Sequence, residues 1–81
     1  MNPERLAEMV NDIANFFAAE QDRDIAVDGV CNHLRKFWEP RMRKQIVAYV
    51  RDHGGVGMSN LAKAGVNKLA TIDNAAMAKP A

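Results

Sequence analysis

The chain has 81 residues, of which 48% are hydrophobic and 26% charged, and a net charge of +1; this composition excludes a disordered segment and a strong global field for nucleic acid or membrane. A chain this short hides only about 60% of the surface that its unfolded form exposes, so one domain with a thin core is expected, and its leftover apolar faces need a partner. The single cysteine, Cys31, excludes an internal disulfide and fits a reducing compartment.

The opening Met1-Asn2-Pro3-Glu4 lacks the basic start and apolar run of a signal peptide. No apolar stretch approaches the roughly 20 residues needed to span a bilayer. A soluble, cytoplasmic chain with no membrane partner is expected. The first predicted helix runs from about Pro3 to Ala19, with Asn2 as its cap and Pro3 in its first position. Leu6, Met9, Val10, Ile13, Phe16 and Phe17 fall in one arc about 120° wide and are the candidate core positions. Glu4, Glu8 and Asp12 lie four apart on the opposite side, a solvated acidic stripe.

A polar turn over Glu20–Asp24 follows, in which Asp22 or Asp24 can cap the second helix. That helix carries Val27, Val30, Cys31, Leu34, Phe37 and Trp38 as its apolar stripe, each 21 residues after an apolar position of the first. Two similar stripes joined by a short link predict an antiparallel helical hairpin. Gly29, in mid-helix, costs about 1 kcal/mol against alanine and marks a close approach.

Pro40 ends the second helix near Trp38-Glu39, because the residue before proline avoids helical backbone. The third helix starts there and runs to about Asp52, with Met42, Ile46, Tyr49, Val50 and His53 on one face and Arg41, Lys44 and Arg51 turned away. Gly54-Gly55 is a helix stop. A weaker fourth helix is predicted from a Ser59 cap through Leu69, with Met58, Leu61, Ala62 and Leu69 as its apolar contacts. Residues 1–69 thus form one helical domain, and the small, polar residues 70–81 are expected to be a flexible tail. No strand-like alternation occurs, so the fold class is all-α: a small bundle of three to four short helices.

Charge is unevenly placed. Residues 1–28 hold seven acids and two bases, net −5, whereas residues 29–81 hold three acids and nine bases, net +6. Such asymmetry implies charge-complementary docking, within the chain or with partners.

Chemistry-bearing groups are sparse. Cys31, His33 and His53 have neither the Cys-x-x-Cys nor the paired-histidine spacing of a metal site, so no metal is expected. Cys31 and His33 stand two apart on a helix and point in different directions, which disfavours a catalytic dyad. Gly54-Gly55-Val56-Gly57 lacks the strand and the Gly-Lys-Ser/Thr of a phosphate loop and reads as a helix cap with a linker. The strongest feature is Leu34 to Lys44, which gathers five bases, two aromatics and a proline around one acid. Trp and Arg are enriched at binding hot spots. Phe37 and Trp38 are expected to cap the core, and Arg41 and Arg43 to meet a partner.

The strings Asn11-Asp12-Ile13-Ala14-Asn15-Phe16-Phe17-Ala18-Ala19 and His33-Leu34-Arg35-Lys36-Phe37-Trp38-Glu39-Pro40-Arg41-Met42-Arg43, followed by Gly54-Gly55, closely resemble the delta subunit of soluble NAD-dependent formate dehydrogenases over roughly residues 5–69. Departures lie after Gly57, where Met58-Ser59-Asn60 and Lys63-Ala64-Gly65 stand in place of the family's pattern. The resemblance implies a non-catalytic accessory subunit that stabilises a molybdenum- or tungsten-containing enzyme assembly. It implies partners in the alpha, beta and gamma subunits, with contact foremost to alpha. Molybdopterin, iron–sulfur clusters, FMN and NAD would lie in those subunits and none in this chain. The segment carrying both the basic cluster and the resemblance supplies the candidate interface: His33, Arg35, Phe37, Trp38, Glu39, Pro40, Arg41, Met42 and Arg43. Self-association of the isolated chain is a further expectation. Rival readings are a small helical DNA-binding module that uses the basic cluster, and a transient assembly chaperone for the same enzyme. The near-neutral net charge and the Trp-Glu-Pro break within the cluster weigh against the DNA reading.

Overall fold

The computed structural model describes residues 2–78, with side chains described through Asp73. Four helices follow one another: α1 (Pro3–Phe17), α2 (Arg23–Phe37), α3 (Pro40–His53) and α4 (Asn60–Ala78). No strand occurs among the described residues.

Local chemistry sets each boundary. The Asn2 side chain accepts the Glu4 amide at 2.8 Å, and Pro3 opens α1 where its missing N–H is not needed. Asp22, not Asp24, caps α2, accepting from the amides of Asp24 and Ile25. Trp38 and Glu39 are both extended, as the approach to Pro40 requires, and the Trp38 amide closes α2 on the Leu34 carbonyl. Gly54 ends α3 at φ 69°, a left-handed conformation that costs glycine nothing. Ser59 caps α4, its Oγ accepting the Ala62 amide at 3.1 Å.

α2 packs most heavily on α4, α1 touches the other three helices, and α3 leans on α1 and α4. Leu6, Val10, Val30, Leu34, Ile46, Val66 and Leu69 are wholly buried where the four helices meet. Each such side chain contributes on the order of 1.5–3 kcal/mol by leaving water. No polar or charged residue is buried among the described residues. Close approach depends on two glycines: a Cβ on Gly29 would strike the Phe17 ring at 2.5 Å, and one on Gly65 would strike Val30 Cγ1 at 2.3 Å. The Phe17–Gly29 approach is the hairpin contact that the mid-helix glycine predicted.

The loop between α3 and α4 is held by a side chain from α1. Asn11 donates to the Gly57 carbonyl at 2.8 Å and accepts the Ser59 amide at 2.9 Å. The Tyr49 hydroxyl donates to the Val56 carbonyl at 2.7 Å, so the loop is tied from two helices.

Several expectations are corrected. The buried face of α1 comprises Leu6, Ala7, Val10 and Ala14, which is turned about 70° from the arc of large apolar residues. Alanines let neighbouring backbones approach, so the larger Met9 and Ile13 pack at the margin and Phe16 is 78% exposed. On α2 the outlier is Phe37, which is 71% exposed instead of capping the core. On α3, His53 is exposed although it shares the helical phase of Ile46. Finally, α4 runs past its expected end at Leu69 to Ala78. Alanine has the highest helix propensity, and Ile72 packs against the core, which together extend the helix. The last part of the expected tail, residues 79–81, lies outside the described residues.

Candidate partner interface

The α2–α3 corner sorts the nine candidate residues into two sets. Trp38 is 7% exposed and joins the core, Met42 packs against the same core, and His33 and Arg43 are half-buried. Arg35, Phe37, Glu39, Pro40 and Arg41 face water. The segment therefore anchors itself with one aromatic and presents the other.

Phe37 is the informative member. At 100° per residue it falls between Ala26 and Val30, both buried, in the arc that α2 turns to its neighbours. Gly29, His33 and Phe37 stand at four-residue steps and thus form one row along α2. Phe17 covers that row at Gly29. Further along, the His33 and Phe37 rings meet at 4.8 Å, tilted by 44°, and the row ends in solvent. The helix thus carries, in its buried phase, an aromatic that no helix among the described residues covers. A second exposed aromatic, Phe16, stands edge-on to Phe17 with centroids 5.0 Å apart. Sequence periodicity assigned Phe16 to the core, so its exposure had no signal in the sequence.

The two arginines beyond Pro40 diverge, as their 200° separation on a helix requires. Arg41 is exposed. Arg43 turns toward α4, with Nη1 4.0 Å from Asp73 Oδ1. Its Nε is buried without a hydrogen-bond partner. Arg43 thus belongs to the α3–α4 contact, and Arg41 is the cation that the corner offers outward.

Charge complementarity within the chain is limited. Lys68 on α4 pairs with Asp28 on α2, which joins the basic and acidic parts of the sequence. Most of the acidic residues of α1 and α2 remain exposed.

Cys31 sits behind the corner, 1% exposed. Burial pushes its thiol above the ordinary value of 9.0, against the opposing pull of Arg35 and Lys68. A thiol so held is protonated and a poor nucleophile. Among the described residues, no three or more His, Cys, Asp or Glu side chains come together in a way that would hold a metal ion. No helix among them is long and apolar enough to cross a membrane.

Comparison with known proteins gives one match. The family model described as NADH-dependant formate dehydrogenase delta subunit FdsD covers residues 5–66. No curated protein and no solved structure matches.

Proposed function

The chain belongs to the formate dehydrogenase delta-subunit family, and from that premise we propose that it is a non-catalytic accessory subunit that stabilises the quaternary assembly of a molybdenum- or tungsten-containing, NAD-dependent enzyme. It works in the cytoplasm, away from nucleic acid and membranes, by binding the alpha, beta and gamma subunits, alpha foremost. It holds no cofactor of its own: molybdopterin, iron–sulfur clusters, FMN and NAD are the business of its partners. The buried, protonated Cys31 is consistent with that division of labour.

The observation that carries this reading is Phe37, a large apolar side chain 71% exposed in the buried phase of its helix. An aromatic in this position loses water only when another protein covers it. Arg41, exposed beside it in sequence and fixed by Pro40, adds a planar cation that can fork onto a partner carboxylate. His33, one turn back on the same row, meets the Phe37 ring and extends the patch.

The test is co-purification of a tagged chain with the enzyme subunits. Phe37→Ser and Arg41→Ala should each weaken retention, and lower the yield of intact holoenzyme. Formate-dependent NAD reduction, normalised to molybdenum or tungsten content, should not change. Full retention of both variants, or a lost normalised rate with full retention, would refute the reading. Recovery far below one copy per enzyme would instead identify a transient assembly factor.

A further inference from the structure

The row that carries Phe37 runs nearly the whole length of α2. Ile25, Gly29, His33 and Phe37 stand at four-residue steps, and the row begins and ends on an apolar side chain in water. Ile25 is 54% exposed. Between the two ends Phe17 of α1 lies over Gly29, with the exposed Phe16 edge-on beside it. The His33 ring leans on Phe37. α2 and the end of α1 thus present an apolar strip that is about 18 Å long from Ile25 to Phe37.

The strip is also polarised. At 100° per residue Asp22 and Lys36 fall within the arc that these four residues span, whereas Arg23, Asp24, Asp28 and Arg35 fall outside it. One end of the strip therefore carries a carboxylate and the other an ammonium. None of the ion pairs among the described residues uses either group. Asp22 caps α2 through Oδ1, which leaves Oδ2 for another donor. Asp28, by contrast, is already paired with Lys68.

A strip with opposite charges at its two ends is complementary to itself when turned end for end. A twofold axis at the level of Cys31, midway between Ile25 and Phe37, sets α2 antiparallel to α2 of a copy. Phe37 then rests on Ile25 of the copy, and His33 meets Phe17 of the copy where it covers Gly29. Lys36 stands one turn, about 6 Å along the axis, from Asp22 of the copy, within reach of a lysine side chain. Every contact is made twice. A parallel pair would instead set Lys36 on Lys36 and Asp22 on Asp22, and would align the two helix dipoles. Phe16 and Phe37 leave on the order of 300 Å² of apolar surface in water. Used twice, that is about half of the roughly 1,200 Å² at which specific interfaces begin, before Ile25, His33 and the charged ends are counted.

We propose that the free chain pairs with a second copy of itself through this strip, α2 antiparallel to α2, and that the pair comes apart when the chain binds its enzyme. The pairing stands on the strip alone. The competition rests on the accessory-subunit reading, in which an enzyme subunit covers Phe37. Self-pairing keeps the same aromatic out of water until that subunit takes it.

Sedimentation of the purified full chain over a rising concentration series should show a monomer–dimer equilibrium. Lys36→Glu sets a second carboxylate against Asp22 of the copy and should weaken the dimer by about tenfold or more. Phe37→Ser should leave a monomer. Both positions are exposed, so circular dichroism should not change. Orientation is read with a short bismaleimide and two single variants, Ile25→Cys and Phe37→Cys. These should crosslink to each other in a mixture and neither to itself, because equal positions lie about 18 Å apart in the antiparallel pair. The buried Cys31 does not compete for the reagent. A monomer throughout the series, or Ile25→Cys crosslinked to itself, overturns the pairing. Enzyme subunits expressed without the chain are then added, and the complex is weighed by native mass spectrometry. One copy at each site, with loss of the free dimer, is expected; a pair bound at one site overturns the competition. If the chain binds the enzyme but never dimerises, the pairing fails and the accessory reading stands. If it dimerises but does not bind the enzyme, the accessory reading falls and the pairing stands.

Discussion

Gly65→Ala tests the tightest packing in the bundle. A Cβ at this position would lie 2.3 Å from Val30 Cγ1 and 2.7 Å from Val30 Cβ. Val30 is fully buried, and a β-branched side chain in a helix has essentially one χ1 rotamer, so the valine cannot swing aside. α2 and α4 must then separate, and this is the largest helix pair. Overpacking of this kind costs about 1–3 kcal/mol. Replacing glycine within a helix returns about 1 kcal/mol of propensity. With so stiff a neighbour the upper end of the range applies, and the net loss is about 2 kcal/mol. For a domain of this length that lowers the melting temperature by roughly 8–16 °C. Gly29→Ala is the control. Its clash is with the Phe17 ring, a partly exposed side chain at the end of α1 that can rotate away, so the change should be within about 1 kcal/mol of neutral. Urea unfolding of Gly65→Ala, Val30→Ala and the double variant measures the coupling. The double variant should be more stable than the sum of the two single losses predicts, by about 1 kcal/mol or more. Additivity within about 0.5 kcal/mol, or a neutral Gly65→Ala, would refute the packing argument.

Other consequences are measurable. Asn11→Ala removes two hydrogen bonds to backbone groups and should cost about 1–2 kcal/mol in chemical denaturation; Asn11→Asp keeps the acceptor for the Ser59 amide, loses the donor to Gly57, and should fall between. Because burial raises the Cys31 thiol, the folded state binds that proton more tightly than the unfolded one, and the contribution is whole below the ordinary 9.0 and lost as pH rises through the raised value. The stability of the unaltered chain relative to Cys31→Ala should accordingly fall with pH only in that alkaline window, and a flat difference would contradict it. Truncation after Ala70 strips Ile72 from the core and Asp73 from Arg43, and should cost about 1–2 kcal/mol by thermal melting; an unchanged melting temperature would contradict the packing of Ile72.

Much of this fold could be read from single residues whose chemistry is local. Asn2, Asp22, Ser59 and Gly54 act through groups within a few positions of themselves, so their capping roles follow from the sequence. Gly29 was also legible, since a helix keeps a glycine in its middle where something must come close. The misreadings concern what lies across a gap. Periodicity gives the direction in which Phe37 points but not the length of the helix that would cover it. Large apolar residues defined the stripe of α1, yet Ala7 and Ala14 determine which side is closest to its neighbours. Val66 is as wholly buried as Leu69, yet it stands outside the apolar positions from which the fourth helix is predicted. Asn11 looked like an ordinary polar position, because its partners stand 46 and 48 residues away. Arg41 and Arg43 were separable by angle, but only Asp73, on a stretch read as tail, shows which one is internal.

The clasp between Asn11 and the Gly57–Ser59 turn has a consequence for the order of events during synthesis. Of the four helices α1 is made first and touches the three others, yet the backbone groups that its Asn11 clasps follow 46 and 48 residues later. Until then α1 and α2 can pair only with each other, and the faces meant for α3 and α4 stay open to water. Contacts so distant along the chain delay closure, and open apolar surface in the interval favours misassociation. The nascent chain is consequently most dependent on chaperones or on an early partner while its second half is still being made.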